Sequence, residues 1–317
     1  MKAVVLNSFG GPEELILQDI PAPEIEANEL LIKVEYAGVG QWDIFEREGG
    51  YAKMLGMDVN FPYVLGSEGA GTVVAVGDKV NDFKIGEKVF AAGFLNPKGG
   101  FYAEYAAVED KFVAHIPETI TVQEAAVISG VGLTALRGLE DVLILKPGET
   151  IMIVGASGGV GHMAVQIAKN IGARVFGVAS GEDGVKMVKG LGIETVIDGR
   201  KEDIVSAART FAKDGFDTAL LTTGGIPAEM AVECIRKGGR IAYPNGIDPL
   251  PQVPVDMKCL GYNGEPDSDI LHRLISLISS GNLNVFIDKT YLLTDAYNAH
   301  RALDKHYLGK VCLEVNI

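Results

Sequence analysis

The sequence predicts an α/β protein, in which a β-rich N-terminal domain precedes a doubly wound parallel sheet. Short apolar runs broken by Gly and Pro fill the first hundred residues, which is typical of a small barrel-like β domain. Strand and helix patterns then alternate, and the strands are mostly continuously apolar, as in a parallel sheet covered on both faces. We predict the sheet domain over 119–264 and the β-rich domain over 1–118 and 265–317.

The N-terminal strands are represented by "GAGTVVAVGDKV" and "KIGEKVFAAG". The pattern changes just before "TVQEAAVISGVGLTALRGLEDVL", which has helical spacing. Thr121 followed by Glu124 predicts a capping box at the start of this helix.

The parallel sheet is predicted from five strands with helices between them. The strands are "TIMIVG", "RVFGVA", "TVID", "DTALLTT" and "RIAYPN", and the helices are "HMAVQIAKNIG", "EDGVKMVKGLG", "KEDIVSAARTFAKDG" and "PAEMAVECIRKGG". Gly172 is expected just past the end of the first of these helices. Two helices and two strands follow from "DSDILHRLISLISSG" to "KVCLEVN", and the β-rich domain is one candidate surface for them.

Composition disfavours several classes of partner. The formal net charge of −14 does not attract phosphate backbones or anionic lipid, so neither nucleic acid nor a membrane is an expected partner. Three widely spaced cysteines, Cys234, Cys259 and Cys312, predict reduced and buried thiols. Without a long apolar run or an apolar N-terminal segment, the sequence predicts a cytoplasmic protein.

A glycine-rich turn follows the first strand of the predicted sheet and opens a helix. In a dinucleotide site such a turn allows a tight bend, a close approach to the pyrophosphate and contact between helix and strand. The alternative is a glycine turn in a domain that binds no ligand. The residues predicted to contact the cofactor here are Gly155, Ser157, Gly158, Gly159, Val160 and Gly161.

The end of the second strand bears on the choice of cofactor. An acid there would bond the ribose 2′-hydroxyl of NAD and repel the 2′-phosphate of NADP. This strand ends in neutral "ASG", and Ser180 leaves room for a phosphate. Lys186 and Arg200 are the cations expected to reach it, and Arg174 is a weaker third. We therefore predict NADPH as the cofactor.

Each of these cations could equally be a solvated surface charge. The nearby Glu182 and Asp183 count against NADPH unless they face solvent on the first helical turn, where acids are favoured.

No metal site is predicted. Zinc requires clustered Cys and His ligands, and the sequence has no such spacing. The five histidines are His115, His162, His272, His300 and His306.

Several stretches occur in an order that carries a family likeness: "KAVVLNSFGGPEELIL", "GSEGAGTVVAVGDKV", "GLTAL", "KPGETIMIVGASGGVG" and "GKVCLEV". The chain resembles the zeta-crystallin-like quinone oxidoreductases, a zinc-free branch of the medium-chain dehydrogenase/reductase superfamily. The resemblance implies a GroES-like catalytic domain plus a Rossmann domain, with the active site in the cleft between them. The ligand positions of zinc-containing relatives fall on Gly40 and Ser67, and Asp43 and Glu68 are expected to have structural roles.

The resemblance also implies roles for single residues. Tyr51 and Thr134 match positions near the nicotinamide, and Lys186 matches the contact to the 2′-phosphate. A family tyrosine after the third strand falls on Gly199, so that contact is lost and Arg200 is the expected replacement. The stretch "AKMLGMDVNF" after Tyr51 looks like an insertion that reshapes the substrate mouth. Asn245, Gln41 and Trp42 are weaker candidates for lining the cleft.

We predict hydride transfer from NADPH to a small-molecule electrophile, a quinone or an α,β-unsaturated carbonyl. Tyr51 is the candidate hydrogen-bond donor to the developing enolate oxygen. The alternative is that its aromatic ring only lines the site. The rival functions are an enoyl-thioester reductase and a non-catalytic NADPH-binding protein. A homodimer is expected to cover the sheet edge near "PVDMKCLGY".

Overall fold

The computed structural model describes residues 1–193, 195–255 and 257–316. The chain divides into two compact units. The first contains Met1–Gly130, Pro266–Ser279 and the segment from Val285 onward, and the second contains Val131–Glu265 and Ser280–Asn284.

The N-terminal part of the chain contains eight strands and two short helices among its described residues. They are β1 (Lys2–Leu6), β2 (Ile16–Asp19), β3 (Glu29–Val39), α1 (Gln41–Arg47), α2 (Gly50–Leu55), β4 (Tyr63–Val64), β5 (Glu68–Val76), β6 (Lys88–Ala92), β7 (Tyr105–Glu109) and β8 (Val113–His115). The longer helix α3 follows over Val122–Leu136 and continues as a π-type turn over Arg137–Val142.

The middle part alternates strands with helices. The elements are β9 (Thr150–Val154), α4 (Gly159–Ile171), β10 (Arg174–Ala179), α5 (Gly181–Gly190), β11 (Thr195–Asp198), α6 (Ile204–Phe211), β12 (Phe216–Leu221), α7 (Ile226–Glu233), β13 (Ile235–Pro244) and β14 (Lys258–Tyr262). The chain ends with α8 (Ser268–Ser279), β15 (Ile287–Leu292), α9 (Ala296–Ala302) and β16 (Lys310–Glu314).

The first unit is built on β-sheet, as predicted. Its main sheet has the strand order β15-β16-β3-β5-β6-β8, with β7 also pairing with β3, and a smaller sheet has the order β2-β1-β4. The long strand β3 buries Leu30, Ile32 and Val34 against a core that includes Phe101 and Tyr102.

The second unit is a doubly wound parallel sheet, and this prediction is also confirmed. Its strand order is β11-β10-β9-β12-β13-β14, and every neighbouring pair is parallel. Numbered from β9, this is the order 3-2-1-4-5-6 of a Rossmann fold, in which the direction of winding reverses between the first and fourth strands. Because both faces of the sheet are covered, β9 is buried along its whole length.

Local signals predicted several helix ends correctly. The amide of Glu124 donates to Thr121 Oγ1 (3.2 Å) and the amide of Thr121 donates to the Glu124 carboxylate (2.8 Å), which is the expected capping box. Gly172 ends α4 in the left-handed region, at φ +89°.

One boundary differs from prediction. The stretch "IRKGG" was expected to end a helix, but α7 ends at Glu233 and β13 begins at Ile235. Ile235 pairs with Phe216, and the register shifts before Thr218 pairs with Arg240. Gly238 has φ +75°, which a helix cannot accommodate, so this stretch forms an irregular start to the strand.

The three cysteines are unpaired, as expected for reduced thiols. Cys234 and Cys312 are buried, whereas Cys259 is only half-buried, which corrects the prediction for that residue. Across the described residues, no helix is both long enough and apolar enough to cross a membrane.

Candidate functional site

The carboxyl ends of the parallel strands of the second unit gather candidate residues at one edge of the sheet. Gly155 follows β9, Ser180 follows β10, Asp198 ends β11, Thr222 follows β12 and Asn245 follows β13. Open parallel sheets bind ligands outside these carboxyl ends, where the strand order reverses. The sequence motif therefore lies at the position where this fold binds a ligand.

The three glycines of the motif have distinct steric roles. Gly155 has φ +79°, and a Cβ there would clash with Thr222 Oγ1. A Cβ on Gly161 would clash with the carbonyl oxygen of Gly155, so α4 can approach the turn only because residue 161 has no side chain. A Cβ on Gly158 would meet only the Gly155 oxygen, at 3.4 Å, so the space beside it is open.

The N-terminus of α4 borders this open space. Gly158 precedes the helix in extended conformation, and no side chain caps this end. Gly159, Val160 and Gly161 form the first turn, where backbone N–H groups have no partner within a helix. Together with the positive end of the helix dipole, these groups could hold an anion such as a pyrophosphate.

Two serines connect this turn to the second strand. Ser157 is buried, and its hydroxyl accepts a hydrogen bond from the Ser180 amide at 3.3 Å. Ser180 precedes α5 without capping it through its side chain.

An acid missed in the sequence lies next to Ser180. Asp198 at the end of β11 pairs with Ala179, and its Oδ1 accepts hydrogen bonds from the amides of Gly181 and Arg200, both at 3.0 Å. Its Oδ2 is buried and has no hydrogen-bond partner among the residues that the structure describes. The second strand ends without an acid, but the third strand places the Asp198 carboxyl group beside the residues that follow it.

The surroundings of Asp198 favour the charged form of its carboxyl group. Burial raises its pKa, but hydrogen bonds from the Arg200 and Gly181 amides, together with the charges of Lys201 and Arg200, leave the pKa below its ordinary value. The residue was recognisable in the sequence only as the last letter of the strand "TVID".

The predicted phosphate-binding cations differ in position. Lys186 is exposed on α5, whereas the main chain of Arg200 is held by Asp198. Glu182 is exposed and paired with Lys201 at 2.7 Å, so this acid does face solvent. Arg174 begins β10 at the end opposite Ser180 and stacks on Phe211, which removes it as a candidate.

Two further candidates, Thr134 and Asn245, also belong to the second unit. The backbone oxygen of Thr134 accepts a hydrogen bond from Tyr262 (3.0 Å), and its side chain lies against Gly264. Asn245 Nδ2 donates to Asn263 Oδ1 at 2.8 Å.

Tyr51, the candidate donor, lies on α2 in the first unit. Its ring makes edge contacts with Phe45 and Phe94, with centroid distances of 4.8 and 5.0 Å. Burial, helped by the charges of Glu46 and Asp43, raises the pKa of Tyr51 to about 12. Its hydroxyl therefore stays protonated and can donate a hydrogen bond at neutral pH.

Helix α1 buries two acids near this tyrosine. Asp43 accepts from the amide of Gly40 at 2.7 Å and so caps its own helix. Glu46 accepts a hydrogen bond from the Tyr63 hydroxyl through Oε1, whereas its Oε2 is buried and no described residue bonds to it. Burial raises the pKa of both carboxyl groups, well above the ordinary value for Asp43 and to about 7 for Glu46.

A third acid, Glu68, forms a buried ion pair with Lys310 at 2.8 Å. It also accepts hydrogen bonds from the Ser129 hydroxyl (2.9 Å) and the Gly130 amide (2.7 Å). The Lys310 ammonium group lies 4.4 Å from the centre of the Trp42 ring. Asp43 and Glu68 thus bond to groups within the protein, and their expected structural roles stay a prediction.

The positions predicted to replace zinc ligands lie beside these acids. Gly40 offers no side-chain donor, and in the described part of the chain the buried hydroxyl of Ser67 has no hydrogen-bond partner. Within the described part of the chain, no three His, Cys, Asp or Glu side chains are grouped to hold a metal ion. Gln41, a weaker candidate, donates to the backbone oxygen of Leu303 at 3.2 Å.

Two protein families match the sequence. Residues 26–118 match the alcohol dehydrogenase GroES-like domain, and residues 159–260 match a family described as zinc-binding dehydrogenase. The quinone oxidoreductase of Lama guanicoe is 33% identical over 81% of this chain and 76% of its own length.

Solved structures resemble the chain over its whole length. An NAD-dependent alcohol dehydrogenase superimposes with a TM-score of 0.90 at 28% identity, covering 100% of both chains. A mycobacterial protein in complex with NADPH gives a TM-score of 0.86 at 28% identity, over 99% of this chain and 100% of that one. Similar folds thus occur in proteins described with either nicotinamide cofactor.

Proposed function

Because the chain belongs to the medium-chain dehydrogenase/reductase superfamily, alongside the quinone oxidoreductases, we propose that it is an NADPH-dependent reductase of quinones or α,β-unsaturated carbonyls that works without zinc. The observation that carries the proposal is the open space beside Gly158 at the uncapped start of α4. This space suits the pyrophosphate of a nicotinamide dinucleotide. The other predicted contacts, from Ser157, Ser180, Thr134 and Asn245, remain part of the proposal.

A reduced nicotinamide dinucleotide held at the glycine turn and the start of α4 would supply hydride. The acceptor's carbon–carbon double bond would gain that hydride at the β-carbon and a proton from water at the α-carbon, which would give the saturated carbonyl compound and the oxidised dinucleotide. Tyr51 donates a hydrogen bond to the acceptor oxygen, where negative charge develops. Its raised pKa suits a donor that keeps its proton.

The donor set supports a mechanism without zinc. Gly40 and Ser67 replace the Cys and His that zinc prefers as ligands. The charge of the neighbouring Glu68 is balanced by Lys310, so this carboxylate has no need of a metal cation. A quinone or enone delocalises the incoming charge over its own oxygen and needs no Lewis acid.

Initial rates with NADPH test the function against 1,2-naphthoquinone, 2-hexenal and crotonyl-CoA. Reduction of either of the first two supports the proposal, and reduction of crotonyl-CoA alone indicates an enoyl-thioester reductase. Binding of NADPH without turnover of any acceptor indicates a non-catalytic protein.

The choice of NADPH rests on Ser180, Lys186 and Arg200, and the charge of Asp198 opposes it. We expect Lys186→Ala to weaken NADPH binding about fivefold while leaving NADH binding unchanged, because one exposed charge contact to phosphate is worth about 1 kcal/mol. Lys189→Ala, on the same helix, is the matched control. Calorimetric titration that shows tighter binding of NADH to the unaltered protein would overturn the choice.

We also propose a homodimer formed along β14. This strand is the edge of the parallel sheet, and Leu260 on it is exposed. Asp256, in the stretch that motivated this prediction, lies outside the described residues. Light scattering that gives the mass of a monomer contradicts the proposal. The domain boundaries and the cytoplasmic location stay predictions.

A further inference from the structure

Tyr51 lies in an exposed apolar surface formed by two short helices and a loop. On α2, Met54 and Leu55 follow Tyr51 by three and four positions and so share its helical face. Phe45 and Phe94 contact the Tyr51 ring and are themselves exposed. We call these five residues, Phe45, Tyr51, Met54, Leu55 and Phe94, the Tyr51 patch.

The side chains of the patch do not belong to the core. Met54 is 63% exposed and Leu55 is 54% exposed. Helix α1 has the reverse of the usual arrangement, because it buries Asp43, Glu46 and Arg47 while exposing Phe45. Charged residues are seldom buried and clustered apolar side chains are seldom exposed, so this inversion marks a surface for a ligand or partner.

One polar group is set in this surface. The Tyr51 hydroxyl has no hydrogen-bond partner among the described residues, although its ring is packed on both sides. A single donor surrounded by apolar side chains is complementary to a molecule with one carbonyl oxygen and an apolar body. The strongly acidic composition argues against an anionic membrane surface as the occupant.

We infer that the Tyr51 patch binds the apolar chain of the electrophile, which makes long-chain 2-alkenals and alkyl-substituted quinones the preferred substrates. This inference rests on the proposed function, in which Tyr51 bonds the acceptor oxygen. A chain that extends from the bonded oxygen along this face of α2 would contact Met54 and Leu55, three and four positions after Tyr51. Flexible Met and Leu side chains can adapt to chains of different length.

A chain-length series tests the inference. We expect kcat/KM to rise from 2-butenal through 2-hexenal to 2-nonenal, by up to roughly fourfold for each methylene that is fully buried. The double variant Met54→Ser/Leu55→Ser should lower the ratio of kcat/KM for 2-nonenal to that for 2-butenal by at least about tenfold. Ile85→Ser is the matched control, because Ile85 is 68% exposed but belongs to the turn before β6. It should leave the ratio unchanged.

A second measurement needs no turnover. Calorimetry should show that 2-nonanone binds more tightly than 2-butanone, and that the double variant loses this difference while the Ile85→Ser variant keeps it. If no acceptor is reduced but this binding pattern is found, the proposed function fails and the apolar site stands. Equal values for short and long chains in both measurements overturn the inference. The inference is also overturned if the double variant changes the molecular mass measured by light scattering but changes neither kcat/KM nor ketone binding, since the patch is then a subunit interface.

Discussion

Two regions of the molecule differ in how they treat negative charge. One is the glycine turn of the second unit, and the other is the acidic cluster of the first unit, which consists of Asp43, Glu46, Glu68 and Lys310. The turn prepares for a negative charge by leaving side chains out and presenting backbone N–H groups. The cluster buries carboxyl groups and gives each a different partner, which is a lysine, a helix N-terminus or a tyrosine. A backbone site depends on one short stretch of sequence, whereas a side-chain site depends on residues far apart in the chain.

Because the two regions are built differently, they should be sensitive to different kinds of substitution. Adding a methyl group to the turn fills space that the fold or the ligand needs. Adding or removing a charge in the cluster leaves a partner buried and unpaired. Four experiments test this comparison.

The largest expected effect comes from Lys310→Met. This substitution leaves Glu68 buried without its cation, so we expect the free energy of unfolding to fall by about 3–5 kcal/mol, measured by urea denaturation followed by circular dichroism. The double variant Glu68→Gln/Lys310→Met should regain much of that loss, because no charge then remains unpaired. If Lys310→Met is as stable as the unaltered protein, the buried ion pair does not contribute to stability as proposed.

Glu46 should make stability depend on pH. Its pKa rises from the ordinary value of 4.5 to about 7 on folding, so the folded state holds its proton more tightly than the unfolded chain. This contribution is fully present below pH 4.5 and is lost as the pH rises through 7, a change of about 3 kcal/mol.

Urea titrations across that range should show this decline in the unaltered protein and a flatter profile in Glu46→Gln. Asp43 contributes in the same direction, so Asp43→Asn should flatten the profile further. Equal profiles for the Glu46→Gln variant and the unaltered protein would show that Glu46 is not the titrating group.

Two glycine substitutions separate fold from ligand at the turn. Gly161→Ala pushes α4 off the Gly155 carbonyl, so it should lower both the melting temperature and the affinity for NADPH. Gly158→Ala has room within the protein but fills the anion site, so it should weaken NADPH at least about tenfold with little change in melting temperature. Gly190→Ala on α5, where nothing lies within 4 Å of a Cβ, is the control. If Gly158→Ala binds NADPH normally, the pyrophosphate lies elsewhere.

The smallest effect is expected at the capping box, a backbone site outside both regions. Thr121→Ala removes the hydroxyl that accepts from the Glu124 amide and should cost about 1 kcal/mol in unfolding free energy by urea denaturation. Glu118→Ala, an exposed residue just before the cap, should leave this value unchanged. Equal losses in the two variants would argue against the cap.

The same contrast explains what the sequence could predict. Three features could be predicted because each depends on a few neighbouring residues: the glycine turn, the Thr121 cap and the end of α4 at Gly172. Asp198 was missed because its partner amide at Gly181 lies at the far end of the preceding helix α5, so no local spacing connects the two residues. The Glu68–Lys310 pair joins β5 to β16, and no local spacing indicates that these strands share a sheet with β3 between them.

Trp42 is the only tryptophan in the sequence, and its ring lies beneath Lys310 in the first unit. Its fluorescence is therefore a built-in probe of that unit alone, and the emission should shift when the ammonium group leaves the indole. The second unit does not contribute to tryptophan fluorescence, but its helices contribute to the far-ultraviolet circular dichroism signal. Comparing the two signals during denaturation would reveal whether the units melt together or one after the other.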